Sequence, residues 1–315
     1  DNQELKDVMD LCLSCKGCKR ECPSNVDVGK MKAEFLQGYY DVHGVPARAQ
    51  RIADFSKSMK LAAKAPWLFN VLSGNVATRS LIQRFAGFST RRLLPTLHPT
   101  TLDKWFRNHK PHPNAGTNGK VFLFCDEFTN YNDTPVGIAT VELLERLGLS
   151  VEIPRHVESG RAAMSKGLLR RARTLATQNV ELLSQVVKEQ TPLIGIEPSA
   201  ILSFRDEYPQ LVSPGLKEKA KWIAESALMI DEYIERLINQ DKLDSNMFTG
   251  KPQTIRLHGH CHQKALASLR PTIQMLELPM GYRVQLIPSG CCGMAGSFGY
   301  EAEHYEISMQ IGELV

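Results

Sequence analysis

The sequence predicts an α+β chain: an all-helical N-terminal domain over residues 1–112, then two repeated α/β units with parallel strands over 118–245 and 251–315. Three observations carry the prediction. Apolar residues at helical spacing fill the first 112 positions without any strand pattern. A linker by composition, Pro111-His-Pro-Asn-Ala-Gly-Thr-Asn-Gly119, closes that region. Strands then alternate with helices twice over, at lengths that imply parallel sheets covered by helices.

In chain order, Val28 to Tyr40 carries Met31, Phe35 and Leu36 on one helical face, and Arg48 to Ala65 continues in the same manner. Pro66 to Phe69 and Leu81 to Phe88 add apolar faces. After the linker, Val121-Phe-Leu-Phe-Cys125 is a buried-strand run. Asp133-Thr-Pro-Val opens a helix with a capping residue and proline in the first turn, ending at Gly148. Val151 to Ile153 is a second strand, Ala162 to Gln190 a helix, Leu193 to Ile196 a third strand, and Lys217 to Asn239 a long amphipathic helix. The second round runs from a strand at Thr254 to Leu257 through a helix at His262 to Leu276 and a strand at Arg283 to Ile287. A glycine-rich loop and a helix from Glu301 complete it. Cysteines and their replacements recur at matching strand ends in the two rounds, which is the signature of a weak duplication.

Length and composition bound the class. The 315 residues, 43% hydrophobic, can bury two or three ordinary cores. Eight cysteines are far too few for a disulfide-stapled secreted domain, and four of them crowd into eleven residues. Reduced thiolates in the cytosol are the expectation. No run approaches eighteen apolar residues, and the start has no signal-peptide character. The absence of an initial methionine and a last helical pattern without a cap suggest a piece of something longer.

Charge is unevenly spread. From His43 to His112 twelve Lys/Arg face two acids, an excess of +10 within a chain of net +4, so the remainder sums to −6. Trp67, Phe69, Phe85, Phe88, Trp105 and Phe106 accompany those cations. A solvated face is the plain reading, and docking on a membrane surface or an acidic partner domain the functional one. No nucleic-acid-binding motif is present, so nucleic acid is not an expected partner.

The chemistry concentrates in Cys12-x-x-Cys15-x-x-Cys18-x-x-x-Cys22-Pro23. That is ferredoxin-type spacing, in which two intervening residues let the backbone curl around a [4Fe-4S] cluster. Lys16, Lys19 and Arg20 offset the charge of the thiolates. A structural zinc site is the alternative, but zinc usually pairs two cysteine hairpins a dozen or more residues apart. Cys22 either completes this cluster or serves another whose ligands precede Asp1. A second constellation follows two predicted strands: His258-Gly-His-Cys261-His262 and Gly290-Cys291-Cys292-Gly. Adjacent cysteines do not readily join each other, so Cys261, Cys291 and Cys292 form a candidate metal or redox site. The three histidines are either ligands or hydrogen-bonded structure, and Cys125 either a ligand or a small buried hydrophobe.

The stretches Leu257-His-Gly-His-Cys-His-Gln-Lys-Ala265 and Ser289-Gly-Cys-Cys-Gly-Met-Ala-Gly-Ser-Phe-Gly-Tyr300 resemble the cysteine-rich CCG domain of FAD-linked D-2-hydroxyacid dehydrogenase-type oxidoreductases. Leu11 to Asp27 is similar to the ferredoxin segment of the same enzymes. The resemblance implies a ferredoxin-like domain followed by two CCG-type subdomains. It also implies FAD on a separate domain or partner subunit that oxidises a 2-hydroxy acid, and a quinone or other carrier as acceptor. A second iron-sulfur or zinc site is implied at Cys261, Cys291 and Cys292. The first repeat departs from the pattern, with Glu158-Ser159-Gly160-Arg161 in place of Cys-Cys-Gly-Arg and Ala200 after Glu197-Pro-Ser199. Cys125 alone survives there, and Glu158 reads as a replacement that ended metal binding. The expectation is an electron conduit, cytoplasmic or peripheral on the inner face of a membrane, with no catalytic acid, base or nucleophile assignable in it. A heterodisulfide-reductase-like thiol/disulfide enzyme and a metal-stabilised interaction module are the rivals.

Overall fold

The computed structural model describes residues 2–248 and 250–314. Asp1 and Val315, on which the reading of the chain's ends turns, lie outside that range. The fold is mixed α/β, with two parallel sheets and helices throughout.

The first sheet has four strands, β1 (Gly119–Leu123), β2 (Leu149–Glu152), β3 (Leu193–Gly195) and β4 (Ala227–Met229), ordered β2-β1-β3-β4 and all parallel. Strand order reverses between β1 and β3, so their carboxyl ends open the crevice where such sheets present functional groups. Alternation along β1 feeds two cores. Val121, Leu123 and Cys125 join Leu102, Leu144, Leu149 and Leu237 on one face. Phe122 and Phe124 join Val180, Leu183, Ile201, Phe204 and Tyr208 on the other. Each fully buried Leu or Phe contributes about 2 kcal/mol of transfer free energy. The second sheet pairs β5 (Gln253–Leu257) with β6 (Tyr282–Leu286), parallel and in register from Gln253 opposite Tyr282 to Leu257 opposite Leu286.

The helical region from Asn2 to Asn108 packs on the unit that contains the first sheet. Leu36 and Tyr40 of the helix Val28–His43 pack with Ala163, Met164 and Leu168 in a third core. Leu102 is wholly buried in the sheet's core, and Phe55 stacks on Phe128 at 5.3 Å. Arg92 donates to the Gly299 carbonyl and to Ser308 Oγ, fastening the C-terminal segment.

Several expected elements are divided. The helix expected over Lys217 to Asn239 is two helices, Lys217–Ser226 and Ile230–Asn239, with β4 between them. Ala227, Leu228 and Met229 continue a helical pattern, but each is buried and β3 offers its free edge, so pairing prevails over propensity. The Glu232 carboxylate accepts the Met229 amide at 2.8 Å and fixes the restart. The helix expected over Ala162 to Gln190 breaks at Gly167, whose φ of +72° is left-handed, giving Arg161–Ser165 and Leu169–Leu183. The helix expected over His262 to Leu276 becomes Cys261–Leu266 and Arg270–Glu277. The one over Arg48 to Ala65 divides at Asp54.

Candidate iron-sulfur and thiol sites

Cys12 follows the helix Asn2–Asp10, and the chain then curls through left-handed residues at Ser14 (φ 51°) and Lys16 (φ 62°) into the short helix Gly17–Glu21. Cys22 caps that helix, its amide donating to the Cys18 carbonyl at 2.9 Å. The Asp27 carboxylate accepts the Lys30 amide and starts the helix Val28–His43. Within this curl the Ser14 amide donates to Cys12 Sγ at 3.4 Å and the Val28 amide to Cys18 Sγ at 3.3 Å. Lys32 Nζ donates to the carbonyls of Cys12 and Asp10. All four cysteines are free and partly buried.

The second constellation lies beyond β5 and β6. Cys261 opens the helix Cys261–Leu266, capped by His260, whose Nδ1 accepts the His262 amide. Lys264 Nζ donates to the carbonyls of Ser289 and Gly290, holding the Cys291 loop to that helix. Ser289 Oγ lies 2.6 Å from His258 Nδ1, and the Gly293 amide donates to Cys291 Sγ at 3.4 Å. Gly293 needs its missing Cβ: at φ +78° an added methyl would sit 2.1 Å from the Ser308 carbonyl. Cys261 and Cys291 are in contact. That contact lowers the Cys261 pKa and, aided by burial, raises that of Cys291. Cys292 is exposed.

The two constellations meet. Arg20 of the loop donates to the Lys264 carbonyl at 2.5 Å, the helix Gly17–Glu21 packs on Cys261–Leu266, and Cys15 is near enough to act electrostatically on Cys261. His260 Nε2 stands 3.7 Å from Glu197, and burial holds the pKa of His260 down to about 4. His262 is driven to about 2 by burial, then by Arg161 and His260.

Cys125 is apart from both groups. It packs in the sheet's core, where burial and then the neighbouring Asp126 push its thiol well above the ordinary range. In the first α/β unit, Glu127 accepts from the Ser159 amide at 2.9 Å and from Ser159 Oγ at 2.6 Å. Glu158 pairs with Arg171 at 3.1 Å, and the buried Ala200 gives its amide to Glu197. Glu158, Ser159 and Ala200 are therefore engaged by an ion pair, hydrogen bonds and packing. Sequence reasoning overlooked Glu127, Asp206 and Glu207, which carry no motif and are recognised by burial alone.

Among the described residues, the side chains whose ligand atoms all come within 4.8 Å of one another are Asp10, Glu303 and His304. In neither cysteine constellation are three or more thiols drawn that close, whereas four thiolates on tetrahedral zinc stand about 3.8 Å apart.

No family model and no solved structure matches the chain. It is 28% identical to D-2-hydroxyglutarate dehydrogenase of Escherichia coli K12, over 99% of this chain and 31% of that one. It is 24% identical to one subunit of the anaerobic glycerol-3-phosphate dehydrogenase of the same organism, over 78% of this chain and 61% of the relative. Lactate utilization protein A of Bacillus subtilis is 28% identical over 57% of this chain and 74% of its own. The chain thus spans about a third of the length of the D-2-hydroxyglutarate dehydrogenases it matches. The resemblance read from the two cysteine motifs holds: over 99% of its length the chain is similar to D-2-hydroxyglutarate dehydrogenases, consistent with the iron-sulfur, CCG-type part of such oxidoreductases.

Proposed function

We propose that the chain is the iron-sulfur electron-transfer part of a flavin-linked oxidoreductase. Its parts are a ferredoxin-like helical domain over 1–112, a degenerate CCG-type repeat over 118–245 and a second CCG-type repeat over 251–315. An FAD-binding domain or subunit oxidises a 2-hydroxy acid, and the electrons leave through this chain to a quinone or another carrier. The relatives' names support a dehydrogenase of that kind, and the glycerol-3-phosphate dehydrogenase relative, itself named as a subunit, supports a partner chain.

The observation that carries the reading is the curl around Cys12, Cys15, Cys18 and Cys22, with backbone amides directed at Cys12 and Cys18. This donor set fits a [4Fe-4S] cluster, because amide dipoles and the lysines of the loop offset the charge of four thiolates. When bound, such a cluster supplies one-electron transfer. The four cysteines hold it, and Lys32 pins the carbonyls of Asp10 and Cys12 so that the first ligand keeps its place. Anaerobic purification followed by iron, sulfide and zinc analysis tests the reading. The expected result is about four irons per chain, most of them lost in Cys15→Ser and Cys18→Ser; zinc without iron refutes it.

A second reading concerns Cys261 and Cys291. Lys264 holds the Cys291 loop against the helix that Cys261 opens, and that juxtaposition of two thiols, with the Cys261 pKa lowered, favours thiol/disulfide chemistry there over a purely structural role. Faster alkylation of Cys261 than of Cys291 is expected in metal-free protein. Equal rates would remove the support.

The acid-free run from Phe55 to Leu102, with seven Lys/Arg, supports peripheral docking on the anionic inner face of a membrane. Trp67, Val71, Val76, Leu81 and Phe85 are exposed in it. Among the described residues, no helix is long and apolar enough to cross a membrane. Co-flotation with anionic but not neutral vesicles, weakened by Trp67→Ser, is the expected outcome.

A further inference from the structure

Lys16 stands between the second and third cysteines of the loop, yet its side chain is only 3% exposed. A lysine so placed is costly unless its charge is met. It is met three times, by Asp27 at 3.0 Å, Asp206 at 2.5 Å and Glu207 at 2.9 Å. Asp27 belongs to the loop's own segment. Asp206 and Glu207 do not: they lie 190 residues further on, where the helix Ser203–Asp206 ends in the first α/β unit.

Asp206 also takes Lys19, and Lys30 at 2.9 Å, so three lysines of the cysteine segment converge on one carboxylate. Glu207 is held in addition by Arg161 at 2.7 Å. Burial alone would lower the Lys16 pKa, but Glu207 and Asp206 outweigh it and keep the ammonium charged. The same cluster borders the second constellation, since Lys16 and Asp206 both act electrostatically on His262, the neighbour of Cys261.

We infer that Asp206 is the positioning residue that docks the cysteine loop onto the first α/β unit, and that the balance of Lys16 against Asp206 and Glu207 sets the reduction potential of the cluster in that loop. The inference rests on the cluster assignment above. Its physical basis is simple. Reduction adds one negative charge to the loop, and a partly desolvated charge nearby acts on it with little screening. Removing the Asp206 charge leaves Lys16 less neutralised and favours the reduced form. Removing Lys16 leaves the carboxylates with one cation fewer against them and disfavours it.

The test is redox potentiometry of the anaerobically reconstituted chain, followed by electron paramagnetic resonance, with iron content measured on each sample. Asp206→Asn is expected to shift the midpoint upward and Lys16→Met downward, with the double variant returning toward wild type and iron content unchanged. A purely structural role would move both single variants the same way or not at all, and either result overturns the inference while leaving the cluster assignment intact. Should Asp206→Asn not fold, Lys19→Gln and Lys30→Gln, whose side chains are 24% and 21% exposed, take its place. Both are expected to lower the midpoint, and unmoved potentials in both refute the proposal. Wild-type protein that takes up no iron overturns the cluster assignment and this inference together.

Discussion

Raising the pH from 6 to 9 should loosen the seam between the C-terminal segment and the helix that leads into the cysteine loop. His304 is 4% exposed, with its ring stacked on Phe298 at 4.1 Å. Its Nε2 lies 3.3 Å from Asp10 and its Nδ1 3.5 Å from Glu301. Burial lowers the His304 pKa, but the carboxylates of Asp10 and Glu301 outweigh it and raise it from 6.5 to about 9. A rise of about 2.5, at about 1.4 kcal/mol for each pKa unit, corresponds to at most about 3.5 kcal/mol. Because the Asp10 side chain is 34% exposed, solvent reduces that figure, and about 2 kcal/mol is expected. A raised pKa contributes stability that is complete below the unfolded value near 6.5 and disappears as pH climbs through about 9. Asp10 and Glu301, held at about 2, set the acid side of the window, their contribution fading as pH falls from about 4 toward 2. Lys32, whose pKa burial lowers, works in the opposite sense at the alkaline end. The assay is therefore the difference in urea-unfolding free energy between wild type and His304→Asn, measured from pH 6 to 9 under reducing conditions. The difference should shrink across that range. A difference that stays constant with pH would refute the reasoning.

Three further outcomes follow from packing and hydrogen bonding. Gly167→Ala places a methyl 2.3 Å from Leu36 Cβ at a left-handed φ, in the contact between the helix Val28–His43 and the first α/β unit, so a loss of about 2 kcal/mol or more is expected in denaturant unfolding. Asn179→Ala removes the acceptor of the Val157 amide and the donor to Tyr208 Oη and the Glu158 carbonyl, all in the first α/β unit. The stranded groups should cost about 1–3 kcal/mol in the same assay. Phe204→Ala opens a cavity beside Phe124 and Tyr208 and should lower stability by about 3–5 kcal/mol in calorimetry or denaturant unfolding.

What could be read in advance follows the range of the forces involved. β1 and β3 were legible because Val121 to Phe124 and Leu193 to Ile194 are apolar on both faces, as a parallel strand covered by helices must be. β4 was not, because Ala227-Leu-Met229 fits an amphipathic helix as well as a strand, and only the open edge of β3 decides between them. Gly148 ended its helix as expected, while Gly167 broke one unannounced, since a lone glycine marks a break only where the chain must turn left-handed to pack. In the candidate sites, the cysteines announced themselves by spacing. The charges that hold them did not: Asp206 and Glu207 sit in ordinary helical sequence, and only burial beside Lys16 distinguishes them.

The sequence by itself therefore determined the cysteine curl at Cys12 to Cys22, the CCG motif around Cys261 and Cys291, and the alternation of strands and helices, because each depends on residues a few positions apart. Tertiary structure alone decided that Cys125 is a core residue, that Cys15 approaches Cys261, and that three lysines of the loop close on one distant carboxylate. The cysteine and lysine contacts join residues 176 to 246 positions apart, and no local pattern encodes them. They exist because desolvated charges and apolar faces find partners only when the chain is folded.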